Sequence, residues 1–121
     1  MQYLELDSRL RESDLVITAE GSIDFQTPRG KIPVEVAQRA KRYNLPVIAI
    51  AGTIGQDASV NFDYGIDSFS TILREPCTLS DAIAKTPDLL TYAAERIMRL
   101  ILVGQQLSQS SQTTSKTAAI A

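Results

Sequence analysis

The chain has 121 residues, a net charge of −2 at pH 7, 44% hydrophobic residues, one cysteine and no histidine. This length suits a single compact domain, and the acidic balance disfavours nucleic acid as the main partner, because phosphate-backbone binding usually needs a basic face. The lack of histidine excludes Ser-His triads, histidine zinc ligands and histidine general bases. A lone cysteine excludes an internal disulfide and favours a reducing, cytoplasmic compartment, and no apolar run approaches the roughly 18 residues of a membrane span.

Apolar runs and polar segments alternate along the first third of the chain. Residues 4–10 have apolar side chains at 4, 6 and 10, which predicts a strand stub followed by a helical turn. The β-branched run at 15–19 predicts a buried strand. Residues 20–31 contain two glycines and a proline, which is typical of a long, functional loop.

A helix and a second strand are predicted next. Pro33 fits the first turn of a helix, and Asn44 fits a left-handed residue at its end. The continuous apolar run at 47–51 predicts a strand that ends at Gly52. Residues 56–65 indicate a loop or a short helical turn.

The remaining third is predicted to be mostly helical. Residues 68–73 form a third, weaker strand pattern, and Thr78 is placed to cap a helix that starts at Leu79. Thr86, followed by proline, predicts a break before a helix with a wide apolar face. Residues 104–121 are rich in Gln, Ser and Thr, which predicts a disordered polar tail after a folded part at 1–103.

This order of elements predicts an α/β fold with a partial parallel, Rossmann-like sheet and flanking helices. In such sheets, ligands bind outside the carboxyl ends of the strands, which are expected at Glu20-Gly21 and Gly52-Thr53. The loop at 20–31 is therefore the leading candidate site.

The loop combines glycines with carboxylate, amide, hydroxyl and cationic side chains, a mixture that suits a phosphate site. A solvated polar loop explains the same composition equally well. A phosphate loop of the G-x-x-x-x-G-K-S/T kind is absent, because Phe25 and Ile32 stand at two of its defining positions. Cys77 precedes a predicted helix start, but an incidental thiol is the simpler interpretation.

Residues 14–37 closely resemble the signature of the bacterial glycerate kinases. They include the string Glu-Gly-Ser-Ile-Asp-Phe-Gln-Thr-Pro-Arg-Gly-Lys-Ile-Pro, where the signature has E-G-R-x-D-x-Q-S/T-x-x-G-K-x-P. The resemblance extends over about residues 4–102 and concerns the C-terminal portion of a larger, two-domain kinase with its active site between the domains. It implies transfer of the ATP γ-phosphate, with Mg²⁺, to a hydroxyl of D-glycerate, with 2-phosphoglycerate as the product.

The resemblance also implies roles for the residues that match the signature. Asp24 and Lys31 are the expected catalytic residues, with Asp24 also the expected metal ligand. Lys31 would stabilise charge on the transferring phosphoryl group. The expected substrate-binding residues are Glu20, Gly21, Gln26, Thr27 and Gly30.

Three positions depart from the signature. Ala19 and Glu35 replace glycines, and Ser22 replaces an arginine that would bind an anion with two parallel hydrogen bonds.

The isolated chain is expected to be inactive, because a doubly wound sheet needs more strands than this chain supplies. The expected partner is a missing N-terminal portion of the kinase or a second copy of the chain. Two alternatives are a non-catalytic α/β binding or assembly module and, by fold analogy alone, a small flavodoxin-type domain.

Overall fold

A computed structural model describes residues 3–29 and 32–111. Within these ranges the chain forms four α-helices, three β-strands and one 3₁₀ helix. In chain order they are α1 (Tyr3–Arg11), β1 (Val16–Ile23), α2 (Ile32–Lys41), β2 (Val47–Ile54), the 3₁₀ helix (Ala58–Tyr64), β3 (Ser68–Thr71), α3 (Leu79–Ala84) and α4 (Thr86–Ser111).

The three strands form one parallel sheet in the order β1-β2-β3. Val16 pairs with Val47 at the start of the β1–β2 ladder, and Ile48 pairs with Ser68 at the start of the β2–β3 ladder. Parallel neighbours require a crossover, which α2 provides between β1 and β2. The predicted α/β class, with a partial parallel sheet and flanking helices, is therefore confirmed.

Apolar side chains pack on both faces of the sheet, because successive residues of a strand point to opposite sides. From β2, Val47 and Ala49 join a core with Leu10 of α1 and Ala37 of α2. Ile50 joins a second core on the other face. Its buried partners there are Ile72, Leu89, Ala93 and Ile97. The sheet is therefore sandwiched between α1 and α2 on one side and α4 on the other.

Several local sequence signals are confirmed. The Thr78 hydroxyl accepts a hydrogen bond from the Asp81 main-chain N–H (3.2 Å) at the start of α3. Asn44 adopts a left-handed conformation (φ 56°) shortly after α2. The break expected near Thr86 separates α3 from α4.

The N-terminal segment differs from the prediction, since α1 is a helix without a strand stub. Leu6 and Leu10 lie four residues apart, so both face the core beside α2. A helix and a strand would each place positions 6 and 10 on one side. The helix also forms more hydrogen bonds within the segment itself.

The strands also end at different residues from those predicted. β1 and β2 continue to Ile23 and Ile54, and these two residues are paired. β1 and β2 remain hydrogen-bonded to each other beyond the ends of their apolar runs. Glu20 and Gly21 therefore lie in β1 and not in a loop. β3 ends earlier, at Thr71.

The polar tail predicted from residue 104 is wrong as far as Ser111, because α4 continues to that residue. Adding a residue to an existing helix is favourable for good helix formers such as Gln and Leu, even without packing. Residues 112–121 lie outside the described residues. No helix in the described ranges is long and apolar enough to cross a membrane.

Candidate functional site

A compact turn follows β1 at the carboxyl edge of the sheet, and Asp24 is its first residue. The Asp24 carboxylate oxygen Oδ1 accepts a hydrogen bond from the Gln26 main-chain N–H (2.8 Å). This local bond is an Asx turn, which an aspartate side chain forms readily. No hydrogen bond reaches the other oxygen, Oδ2, from the described residues.

Thr27 stabilises the turn through two hydrogen bonds to the main chain of Asp24. Its hydroxyl accepts the Asp24 main-chain N–H (3.0 Å), and its own N–H donates to the Asp24 carbonyl oxygen (3.2 Å). The Thr27 side chain is fully buried. Thr27 therefore supports the turn from a buried position, and the substrate-binding role predicted for it stays a prediction.

Asn61, from the 3₁₀ helix, anchors the turn to the body of the protein. Its side-chain Nδ2 donates to the main-chain oxygens of Asp24 (2.9 Å) and Ala58 (2.8 Å). The side chain is fully buried, and its Oδ1 finds no hydrogen-bond partner among the described residues. Nothing in the sequence around position 61 distinguishes this asparagine, because its partner lies 37 residues earlier.

The end of β2 also packs against the turn. The Phe25 main-chain N–H donates to the Gln56 carbonyl (3.0 Å), and the Gly55 N–H donates to the Ile23 carbonyl (2.7 Å). A Cβ atom at Gly55 would lie 3.0 Å from the Asp24 Cβ, so glycine is what allows this approach. Asp24 is thus bonded by its own turn and by Asn61, and its two neighbours, Ile23 and Phe25, are bonded by the segment that follows β2.

Glu20 and Gly21 lie in a different environment from Asp24. They line a groove of about 750 Å³ between the carboxyl halves of β1 and β2 and the helices α3 and α4. The groove wall is mostly apolar. Gly52 forms part of its floor, and a Cβ there would lie 2.8 Å from the Gly21 carbonyl oxygen.

The structure therefore divides the predicted site residues into two described groups. Asp24, Gln26 and Thr27 form the turn, and Glu20 and Gly21 line the groove. Gln26 is exposed at the surface of the turn. The predicted residues Gly30 and Lys31 lie outside the described residues.

The described residues do not form a metal site at the turn by themselves. Within residues 3–29 and 32–111, no three carboxylate or cysteine side chains cluster closely enough to hold a metal ion themselves. Mg²⁺ is commonly held by one or two carboxylates together with substrate phosphates and water. The free Oδ2 of Asp24 suits that kind of shared coordination.

The fold is an open, parallel α/β sheet, a class that binds ligands at the carboxyl ends of its strands. In this chain, Asp24 lies at that edge. The glycerate kinase family model matches residues 1–102. The chain is 41% identical over 101 residues to a glycerate kinase of Haemophilus influenzae, which covers 84% of this chain and 27% of that protein. It is 37% identical over 103 residues to the glycerate 2-kinase of Escherichia coli K12, which covers 85% of this chain and 27% of that protein.

A solved structure agrees with these matches. A crystal structure from Salmonella typhimurium LT2, described as a glycerate kinase 2, superposes with a TM-score of 0.61 at 40% identity. The match covers 85% of this chain and 26% of that one. The chain belongs to the glycerate kinase family and spans about a quarter of the length of these relatives. The resemblance to the C-terminal portion of the family, noted from the sequence, is confirmed.

Proposed function

We propose that this chain supplies part of the active site of a glycerate kinase that transfers the ATP γ-phosphate to a hydroxyl of D-glycerate. The observation that carries the proposal is the Asp24 turn at the carboxyl edge of the sheet, with Oδ2 unengaged by the described residues. Family membership supplies the reaction class, and the turn supplies a carboxylate that the fold holds in one place.

Asp24 would act on the phosphoryl acceptor or on a metal ion. A carboxylate can accept the proton of an attacking hydroxyl, as in other phosphoryl-transfer sites. The same Oδ2 would ligate Mg²⁺, which when bound neutralises charge on the phosphates. Because Oδ1 is used by the Gln26 N–H (2.8 Å), the free oxygen has a defined direction.

The other matched residues would act around this carboxylate. Lys31 would stabilise negative charge on the transferring phosphoryl group, and Gly30 would allow the backbone to approach it. Gln26, exposed beside Asp24, would hydrogen-bond to glycerate. Glu20 and Gly21 lie in the adjoining groove and would contact substrate only where the groove meets the edge of the sheet.

A chimera tests this function directly. Residues 1–102 of this chain would replace the matching quarter of the Haemophilus influenzae glycerate kinase, to which they are 41% identical. The expected result is phosphorylation that depends on both ATP and D-glycerate, measured by product formation. The Asp24→Asn variant should lower kcat by about a hundredfold or more, since general base catalysis contributes about 10²–10⁴-fold.

Asp63→Asn is the matched control, because Asp63 is an exposed carboxylate on the 3₁₀ helix. It should leave kcat unchanged. A folded chimera without activity, or one in which Asp24→Asn changes nothing, would overturn the proposal and favour a non-catalytic module. The isolated chain should show no activity, and its cytoplasmic location stays a prediction.

A further inference from the structure

A small cavity lies where the chain leaves β3 and enters α3, beside the start of α4. Its volume is about 250 Å³. It is lined by Arg74, Glu75, Cys77, Ala82, Lys85 and Leu89. None of these residues belongs to the turn at Asp24 or to the signature at 14–37, so the proposed catalysis leaves the cavity without a role.

Arg74 is positioned beside this cavity by an aromatic ring. Its guanidinium carbon lies 4.3 Å from the centre of the Tyr92 ring in α4, which is a cation–π contact. No carboxylate of the described residues forms an ion pair with Arg74. Because a cation–π contact uses no hydrogen bond, it holds the guanidinium in place and leaves its N–H donors for another group.

The charges that line the cavity favour an anion. Arg74 and Lys85 are both cationic and come from different segments, the loop after β3 and the end of α3. Among the described residues that line the cavity, Glu75 is the one carboxylate, so positive charge predominates. Leu89, which is 8% exposed, adds an apolar wall. An apolar wall excludes water locally, which strengthens the attraction between the cations and a bound anion.

We propose that this cavity binds a phosphate group, either free or carried by a small organic molecule. The planar fork of an arginine matches two phosphate oxygens with parallel hydrogen bonds, and a lysine adds a compact point charge. The cavity volume of about 250 Å³ is below the roughly 300–1,000 Å³ of sites for drug-sized ligands, so the ligand is small. The inference requires neither Asp24 nor turnover, and it does not rest on the proposed function.

Titration of the full 121-residue chain with inorganic phosphate tests the inference. The readout is the NMR shift of the main-chain amides of Arg74, Glu75 and Lys85, at neutral pH and constant ionic strength. We expect saturable shifts in the millimolar range, because both cations are exposed and partly screened by salt. Chloride at the same ionic strength should not reproduce them. Acetate should bind more weakly, since it carries less charge than phosphate at this pH.

Two arginine variants then locate the site. Arg74→Met keeps most of the side-chain length but removes the guanidinium, and it should weaken phosphate binding by about five- to tenfold. Arg99→Met is the matched control, because Arg99 is an exposed arginine of α4 that pairs with Glu95 (3.1 Å) and does not line the cavity. It should leave phosphate binding unchanged. Lys85→Met should also weaken binding, and it replaces Arg74→Met as the test if that variant does not fold.

Three results would each overturn the inference. The first is a shift that rises with phosphate concentration without saturating, or that chloride reproduces. The second is equal weakening of binding by the cavity variant and by Arg99→Met, which would indicate a general effect of net charge. The third is acetate binding as tightly as phosphate, which would assign the cavity to carboxylates. The urea midpoint of each variant verifies that it is folded.

Discussion

The side chain of Asn61 donates a hydrogen bond to the main-chain carbonyl of Asp24 at 2.9 Å. This bond joins the 3₁₀ helix to the turn that follows β1, across 37 positions in the sequence. Asn61 is fully buried, and the same Nδ2 also donates to Ala58. The position of the candidate catalytic carboxylate therefore depends on a residue that lies outside the signature at 14–37.

Replacing Asn61 with alanine should destabilise the protein and loosen the turn. The carbonyl oxygen of Asp24 would lose a buried donor, which typically costs about 1–3 kcal/mol. Urea unfolding measures the loss, and amide exchange at Gln26 and Thr27 should become faster. Gln38→Ala, at an exposed position of α2, is the control and should change stability by less than about 0.5 kcal/mol. Equal stability of the two variants would show that the hydrogen bond contributes nothing.

Two Gly→Ala substitutions should have opposite effects. At Gly52 the added Cβ would lie 2.8 Å from the Gly21 carbonyl oxygen, and main chain cannot move aside as a side chain can. We expect a loss of about 1–3 kcal/mol there. At Gly104, inside α4, an added Cβ would have no neighbouring atom within 4 Å. Alanine should therefore stabilise the protein there by up to about 1 kcal/mol, because it has a higher helix propensity than glycine.

Thermal and urea unfolding of both variants check this pair. Both variants add the same methyl group. A difference in the sign of the change in unfolding free energy therefore reports the close approach of β1 and β2 at Gly52. A neutral Gly52→Ala variant would mean that the strands separate at little cost at this point.

The fold was predictable where the signals are local. β-branched runs predicted the strands, and the side chain of Thr78 and the left-handed Asn44 marked helix ends through their own backbone preferences. Such signals act over three or four residues, so they need no knowledge of the tertiary structure. The approximate position of the carboxyl edge of the sheet followed from them, although β1 and β2 end later than their apolar runs predict.

Features that depend on distant partners were not predictable. β1 continues to Ile23 because β2 pairs with it there, which the apolar pattern of β1 alone does not show. Asn61 binds the Asp24 turn through tertiary contact, and a single asparagine gives no signal of it. The signature therefore singles out Asp24 as a candidate, but it does not indicate which residue holds the turn in place.

Asp67 should make stability depend on pH in the acid range. Partial burial raises the pKa of its carboxyl, but hydrogen bonds from the Lys41 side chain and the Val47 N–H, with the charge of Lys41, lower it below its usual value of 3.8. A lowered folded-state pKa stabilises the protein above the unfolded pKa, and this contribution is lost as pH falls through the folded pKa.

Asp67→Asn should therefore be less stable than the wild type near pH 7, and the difference should shrink as pH falls below about 4. Urea midpoints across this range measure it. Asp63→Asn, with its exposed side chain, provides the control and should stay close to the wild type at every pH. A gap for Asp67→Asn that stays constant with pH would exclude this titration as its cause.

Ser22 offers the sharpest test of how this chain differs from the family signature. The signature has arginine here, and Ser22 lies in β1 paired with Thr53, two residues before Asp24. Arginine can bind a carboxylate or phosphate with two parallel hydrogen bonds, whereas serine offers one neutral hydroxyl. In the chimera, Ser22→Arg should lower KM for D-glycerate or ATP by about tenfold, since a hydrogen bond to a charged group contributes about 1.5–3 kcal/mol.

Ser22→Lys is the matched variant, because lysine restores the charge without the planar pair of donors. It should recover less of the affinity than arginine does, measured by steady-state kinetics at constant ionic strength. Equal recovery by the two variants would show that charge alone matters at this position. No change in KM with either variant would place position 22 outside contact with both substrates, and the binding role of this strand end would then fall to its neighbours Glu20 and Gly21.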